Sequence, residues 1–176
     1  NVIKNYLKKQ KNNWNIQCLD TGQDTLTAKR IFLVKDYIKS QKFLMTYGDG
    51  LANIKINKLI KFHYKFKSLV TLTAVRPKQR YGVLKMNKNK VKLFDNSNKK
   101  VDVYVNGGFF VISKEMIKHI KGKKIYWEND PLNYAIKKKK LFAFKHEGFW
   151  KSLDTLKDKN DFNELYKNNI APWISI

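Results

Sequence analysis

The sequence predicts an α/β fold in a single domain, built on a mixed, mostly parallel central sheet, and three observations lead there. Short apolar runs alternate with stretches whose apolar residues recur at helical spacing, a rhythm typical of helices layered on a largely parallel sheet. The 176 residues suffice for one sizeable core, and no internal repeat or Pro/Gly/Ser linker divides them. Hydrophobic residues make up 43% and aromatics 14% of the chain, an apolar load that a disordered segment does not carry.

No element is read in Asn1–Asn13, which is polar and lacks clean periodicity; because the first residue is Asn1, the sequence is expected to begin inside a longer protein. Trp14–Leu19 reads as a strand, followed by the polar loop Asp20–Lys29 and a helix over Ile31–Lys39, with Leu33, Val34, Tyr37 and Ile38 at helical spacing. Phe43–Tyr47 is a continuous apolar run closed by Gly48, which suits a buried strand. Ile56–Lys67 puts Leu59, Ile60 and His63 on one helical stripe, and Leu69–Val75 is rich in β-branched residues, hence a strand. Tyr81–Met86 and Val91–Asp95 flank the turn Asn87–Lys90 as a hairpin. Val101, Val103 and Val105 alternate into Gly107-Gly108 and the buried run Phe109–Ile112. Asp130-Pro131 starts a helix, since Asp can cap free amides and Pro tolerates the first turn. A strand near Leu141–Lys145 and a final helix over Thr155–Tyr166 complete the order.

The formal net charge is +23, which by itself would suit a nucleic-acid partner. Only Arg30, Arg76 and Arg80 are arginines, however, and the lysines are spread through every segment, so the charge reads as a solvated coat and nucleic acid as an unlooked-for ligand. The run Lys137–Lys140 falls where a helix should end, a favourable placement against the helix dipole. Cys18 is the single cysteine, which excludes an internal disulfide, and His63, His119 and His146 lack metal-ligand spacing and read as structural. Lysines interrupt every apolar stretch well short of a bilayer span, so no membrane partner and a cytoplasmic location are expected.

Two carboxylates stand out by position. Asp49, in Thr46-Tyr47-Gly48-Asp49-Gly50, follows a buried strand, where open α/β sheets gather ligands and glycines let backbone approach a phosphate; a Gly-Asp-Gly turn is also ordinary loop chemistry. Asp154 precedes the last helix, where an aspartate ordinarily serves as a cap. Mg²⁺ takes one or two protein carboxylates and completes its shell with water and phosphates, so two aspartates from distant segments are a sufficient share.

Taken together, Leu19-Asp20-Thr21-Gly22, Thr46-Tyr47-Gly48-Asp49-Gly50, Leu72-Thr73-Ala74, Arg80-Tyr81-Gly82, Asn106-Gly107-Gly108-Phe109-Phe110, Trp127-Glu128, Pro131-Leu132, Gly148-Phe149-Trp150, Leu153-Asp154-Thr155-Leu156, Asp158-Lys159 and Ala171-Pro172-Trp173 closely resemble the glucose-1-phosphate cytidylyltransferases. The resemblance is collinear from about Trp14 to Trp173. It implies a Rossmann-like nucleotidyltransferase fold and a reaction of CTP with glucose 1-phosphate to give CDP-glucose and diphosphate. It further implies that Asp49 and Asp154 bind catalytic Mg²⁺, that Thr25, Arg30 and Gly48 contact the nucleotide, and that Tyr81, Gly82, Asn106, Gly107 and Glu128 line the sugar pocket. Arg30 is the best candidate for a catalytic phosphate contact beside the two aspartates, and a homo-oligomer is implied as well. The attacking phosphate oxygen is already an anion, so no general base is required, and the lack of a convincing His or Cys nucleophile agrees with this chemistry.

The sequence also departs from that family. A Gly-rich loop of the form Gly-Gly-x-Gly-Thr-Arg and a following lysine segment have no match here, and Asn96-Ser97-Asn98 stands where the family has Glu-Lys-Pro. Thr27-Ala28-Lys29-Arg30 replaces Thr-Gly-Gly-Arg, keeping the arginine. The expectation is therefore an N-terminally truncated domain without measurable turnover by itself, since loss of one preorganised donor alone costs about 10²–10³ in rate. Two alternatives remain: a basic nucleic-acid module that has lost its chemistry, and a nucleotidyltransferase of different base or sugar preference.

Overall fold

The computed structural model describes residues 2–9, 14–78, 83–95, 103–122 and 124–174. In chain order the elements are α1 (Val2–Lys9), α2 (Thr27–Leu33), β1 (Lys42–Thr46), β2 (Gly50–Ala52), α3 (Ile56–Lys65), β3 (Val70–Val75), β4 (Val83–Asn87), β5 (Lys90–Asp95), β6 (Val105–Ser113), α4 (Asp130–Lys137), β7 (Leu141–His146), β8 (Trp150–Ser152) and α5 (Leu156–Lys167). Short 3-10 helices cover Lys35–Tyr37 and Lys114–His119.

The main sheet has the order β1-β6-β3-β7. It is mixed, as expected, but the parallel share is smaller among the described strands than a mostly parallel sheet would have. Only β3 with β7 runs parallel, while β6 is antiparallel to both β1 and β3. The reason lies in the connection: β3 leaves into the β4–β5 hairpin and the chain returns as β6 beside it, and a return without a crossover helix is antiparallel.

Strand periodicity divides the core between two faces. Phe110 and Ile112 of β6 are fully buried in one cluster with Val70, Met116, Trp127, Leu132 and Ala135, while Val111 between them packs with Ala52, Ile54 and Leu59 on the other side. Burying an aromatic or aliphatic chain of this size contributes roughly 1.5–3 kcal/mol, so β6, covered on both faces, anchors the domain. Helix α3 supplies the second face through Leu59 and His63, both fully buried. His63 Nδ1 lies 3.0 Å from Thr71 Oγ1 of β3, and its Nε2 lies 3.4 Å from Ser113 Oγ of β6. The Ser113 hydroxyl donates onward to Ser68 O at 3.1 Å. Burial, with Lys42 nearby, lowers the His63 imidazole to about 4, so it sits neutral in the fold. It is structural, as its helical face suggested.

Three readings need correction. Asn1–Asn13 contains α1, whose apolar residues Val2, Ile3, Tyr6 and Leu7 do follow a helical stripe. Trp14–Leu19 is not a strand: the apolar residues of its alternation, Trp14 and Ile16, stay exposed instead of facing the core, and Asn15, Gln17 and Leu19 line a shallow groove with Val34, Tyr37 and Ile38. The predicted helix over Ile31–Lys39 starts at Thr27 and breaks at Val34 into a 3-10 turn. No helix among the described residues is long and apolar enough to cross a membrane.

Candidate functional site

Two very short strands, unreadable from periodicity, build the centre of the site. β2 and β8 pair antiparallel with Gly50 opposite Ser152 and Ala52 opposite Trp150. The ladder is extended by one further bond, from Leu153 N–H to Asp49 O at 2.7 Å. Asp49 and Asp154, 105 positions apart in the chain, therefore stand at the same end of one ladder, and both side chains are exposed there.

The helix cap expected of Asp154 belongs to its neighbour. Thr155 is the N-cap of α5: its hydroxyl accepts from Asp158 N at 3.1 Å, and the Asp158 carboxylate accepts from Thr155 N at 3.0 Å. Asp158 is buried and also meets Lys151 Nζ at 3.2 Å, tying α5 to β8. The Thr155 hydroxyl, aided by Lys151 and the backbone amides, holds the Asp158 carboxyl down at about 2. On Lys151, the carboxylates of Asp161 and Asp158 outweigh the opposing effect of burial and raise its affinity for a proton. Asp158 thus serves the fold, while Asp154 faces solvent beside Ser152, whose hydroxyl donates to its Oδ2 at 2.7 Å.

Beside this ladder lies a second group, centred on Tyr47 at the end of β1. The Tyr47 hydroxyl donates to Glu128 Oε1, and the Asn106 amide donates to the Tyr47 oxygen at 3.4 Å. Asn106 Oδ1 in turn accepts from Gly108 N at 3.0 Å, and Gly108 O accepts from Tyr47 N at 2.9 Å. Gly108 has φ +78°, and a Cβ there would lie 3.1 Å from the Tyr47 ring, so both its backbone and its lack of side chain are required. Gly107 is equally confined, because a Cβ would meet Val75 at 2.9 Å; its carbonyl accepts from Trp150 Nε1 at 2.8 Å, which ties β6 to β8. Burial, then the bond to Glu128 and the charges of Glu128 and Asp49, push the Tyr47 hydroxyl well above its ordinary range, against a smaller opposing effect of Asn106. Tyr47 therefore remains a proton donor.

Glu128 is placed by the residue before it. Trp127 is fully buried, and its backbone N–H donates to Thr27 Oγ1 of α2 at 2.8 Å. The Arg30 guanidinium closes its own loop, donating to Thr21 Oγ1 and to Gln23 O, and Gly22 at φ +85° brings the chain against Thr25. Among the sequence-predicted residues, then, Asp49 joins Asp154 through the ladder, Asn106 joins Glu128 through Tyr47, and Gly48 and Gly107 lie in the connecting backbone. Thr25 and Arg30 belong to the loop and helix that hold up the Glu128 segment. Arg80, Tyr81, Gly82 and the stretch Asn96-Ser97-Asn98 lie outside the described residues. In the sequence Tyr47 reads as a buried strand residue, which hides the role of its hydroxyl; its place directly before Gly48-Asp49 is the available signal.

The donor set suits a hard cation with an incomplete protein shell. Among the described residues no group of three or more His, Cys, Asp or Glu side chains forms a metal cage, whereas two exposed carboxylates at one ladder end leave coordination positions for water and phosphate.

The pattern of the family described as nucleotidyl transferase matches residues 1–168. The glucose-1-phosphate cytidylyltransferases of Salmonella typhimurium and Salmonella typhi are each 38% identical over 161 residues, covering 91% of this chain and 63% of theirs. The chain thus spans somewhat under two thirds of the length of these relatives. The crystal structure of HddC from Yersinia pseudotuberculosis superposes with a TM-score of 0.70 at 20% identity, covering 94% of this chain and 73% of that one.

Proposed function

We propose that this chain, which belongs to the nucleotidyl transferase family, carries the sugar-phosphate and cation side of a site that transfers a cytidylyl group from CTP to glucose 1-phosphate. An oxygen of the sugar phosphate attacks the α-phosphorus of CTP, the new P–O bond forms as the α–β anhydride breaks, and diphosphate leaves with the electron pair. The observation that carries this reading is the bond from Leu153 N–H to Asp49 O, which sets two exposed carboxylates of distant segments at one ladder end. Asp49 and Asp154 would hold Mg²⁺, which when bound offsets the charge of the two phosphates.

The remaining residues bind and orient. Asn106 and Glu128 address the sugar, the Gly107 segment lines its pocket, and Gly48 offers backbone beside the nucleotide. Thr25 and Arg30 contribute on the nucleotide side. With the attacking oxygen already ionised, orientation and charge neutralisation carry the chemistry and no side chain need take a proton. A homo-oligomer belongs to the same proposal.

Calorimetric titration of the chain with glucose 1-phosphate in the presence of Mg²⁺ tests the reading. Saturable binding, tighter than for galactose 1-phosphate or mannose 1-phosphate, is expected. Tighter binding of one of the other sugars would transfer the reading to a different substrate, and no saturable binding of any of them would remove it.

A further inference from the structure

Tyr47 does two separable things. Its ring packs against Phe110, with centroids 5.5 Å apart, and Phe110 in turn meets Trp127 edge-on at 6.1 Å. A phenylalanine would serve that packing. The hydroxyl is directed instead to the carboxylate of Glu128, an exposed residue 81 positions away whose charge water would otherwise solvate. A bond to a solvated carboxylate adds little to stability, so its main effect is to fix where that carboxylate points.

The same hydroxyl fixes a second group. Asn106 has its Oδ1 engaged by Gly108 N and one amide proton directed at the Tyr47 oxygen, which settles the orientation of the amide plane. One phenol oxygen thereby orients an acceptor and a donor at once: the second oxygen of Glu128 and the second amide proton of Asn106. A sugar hydroxyl both donates and accepts, and this pair matches it.

We propose that Tyr47 is a positioning residue for sugar selection, holding Glu128 and Asn106 so that both address one hydroxyl of the sugar phosphate. The role rests on the sugar-phosphate reading above and goes beyond it, because it assigns selectivity to a residue that is not itself required to touch the sugar.

The test titrates the full chain with glucose 1-phosphate and, separately, with inorganic phosphate, for wild type, Tyr47→Phe, Glu128→Gln and the double variant. Tyr47→Phe is expected to melt within about 2 °C of wild type, since the packing is kept. Its Kd for glucose 1-phosphate should rise about tenfold while that for inorganic phosphate stays unchanged, and the double variant should lose less affinity than the two single losses combined, because part of what the hydroxyl does runs through Glu128. Equal glucose 1-phosphate affinity in wild type and Tyr47→Phe would overturn the role of Tyr47 and leave the functional reading standing. Parallel losses for glucose 1-phosphate and inorganic phosphate, or a collapsed melting transition, would make the hydroxyl a brace of the fold and also overturn it. Wild type that fails to bind glucose 1-phosphate would remove the functional reading and this role with it.

Discussion

His63 and Tyr47 are both hubs of side-chain hydrogen bonds that reach strand β6, yet they differ in where the bonds end. From His63 the bonds lead inward, to Thr71, to Ser113 and on to Ser68 O, within a region closed to solvent. From Tyr47 the path leads outward, through the hydroxyl to the exposed Glu128. A closed network stores stability and an open one leaves oriented groups facing solvent, so polar side chains on the same strand serve the fold at one end and, in the proposed reading, address the sugar at the other. The aspartates of the last segment repeat the contrast: Asp158 is consumed by the α5 cap and Lys151, whereas Asp154 stands exposed at the end of β8.

The largest expected effect falls on the closed hub. His63→Ala removes a fully buried ring and strands the Thr71 hydroxyl, while Ser113 keeps its bond to Ser68 O, which should lower stability by about 3–4 kcal/mol in urea unfolding. A loss below about 1 kcal/mol would mean that the network contributes little to the fold.

Next in size is the pH response of the same residue. The folded imidazole is held down at about 4, below its ordinary 6.5, so the unfolded chain binds the proton first as pH falls. The stability this contributes is complete above pH 6.5 and is lost as pH drops toward 4, amounting to about 2 kcal/mol between pH 7 and pH 5. Asp158, at about 2 against 3.8, contributes stability that persists through that window and fades only below it. Unfolding midpoints that stay flat from pH 7 to pH 5 would contradict the placement of His63.

Gly108→Ala sharpens the comparison from the open side. A side chain at φ +78°, 3.1 Å from the Tyr47 ring, should cost about 1–2 kcal/mol and displace the ring, so that stability and sugar-phosphate affinity fall together. Thr155→Ala should have the smallest effect, about 1 kcal/mol from the lost cap, with no change in cation affinity. A change in cation affinity would show that the Asp154 and Asp158 roles are not separate.

Long periodic segments were legible in the sequence: β3, β6, α3, the β4–β5 hairpin and α5 lie within a few residues of their predicted places. β2 and β8 were not, because three residues carry no periodicity. They are nevertheless what brings the Asp49 and Asp154 segments to one ladder end, so the two aspartates could be chosen from their neighbours but not placed beside each other. Trp14–Leu19 misled because alternation reports a strand only where one face is buried. Asn106 and Glu128 entered through resemblance, and the group that links them is a phenol inside an apolar run, whose partners lie 59 and 81 positions away.

In the proposed reading, Asp49 and Asp154 act on one divalent cation at the end of the β2–β8 ladder. Electron paramagnetic resonance of Mn²⁺ titrated into the chain with glucose 1-phosphate, for wild type, Asp49→Asn and Asp154→Asn, tests it directly. One bound ion per chain is expected in wild type, and a loss of affinity of at least about tenfold in each variant, with folding intact. Wild-type Mn²⁺ affinity in either folded variant would contradict it.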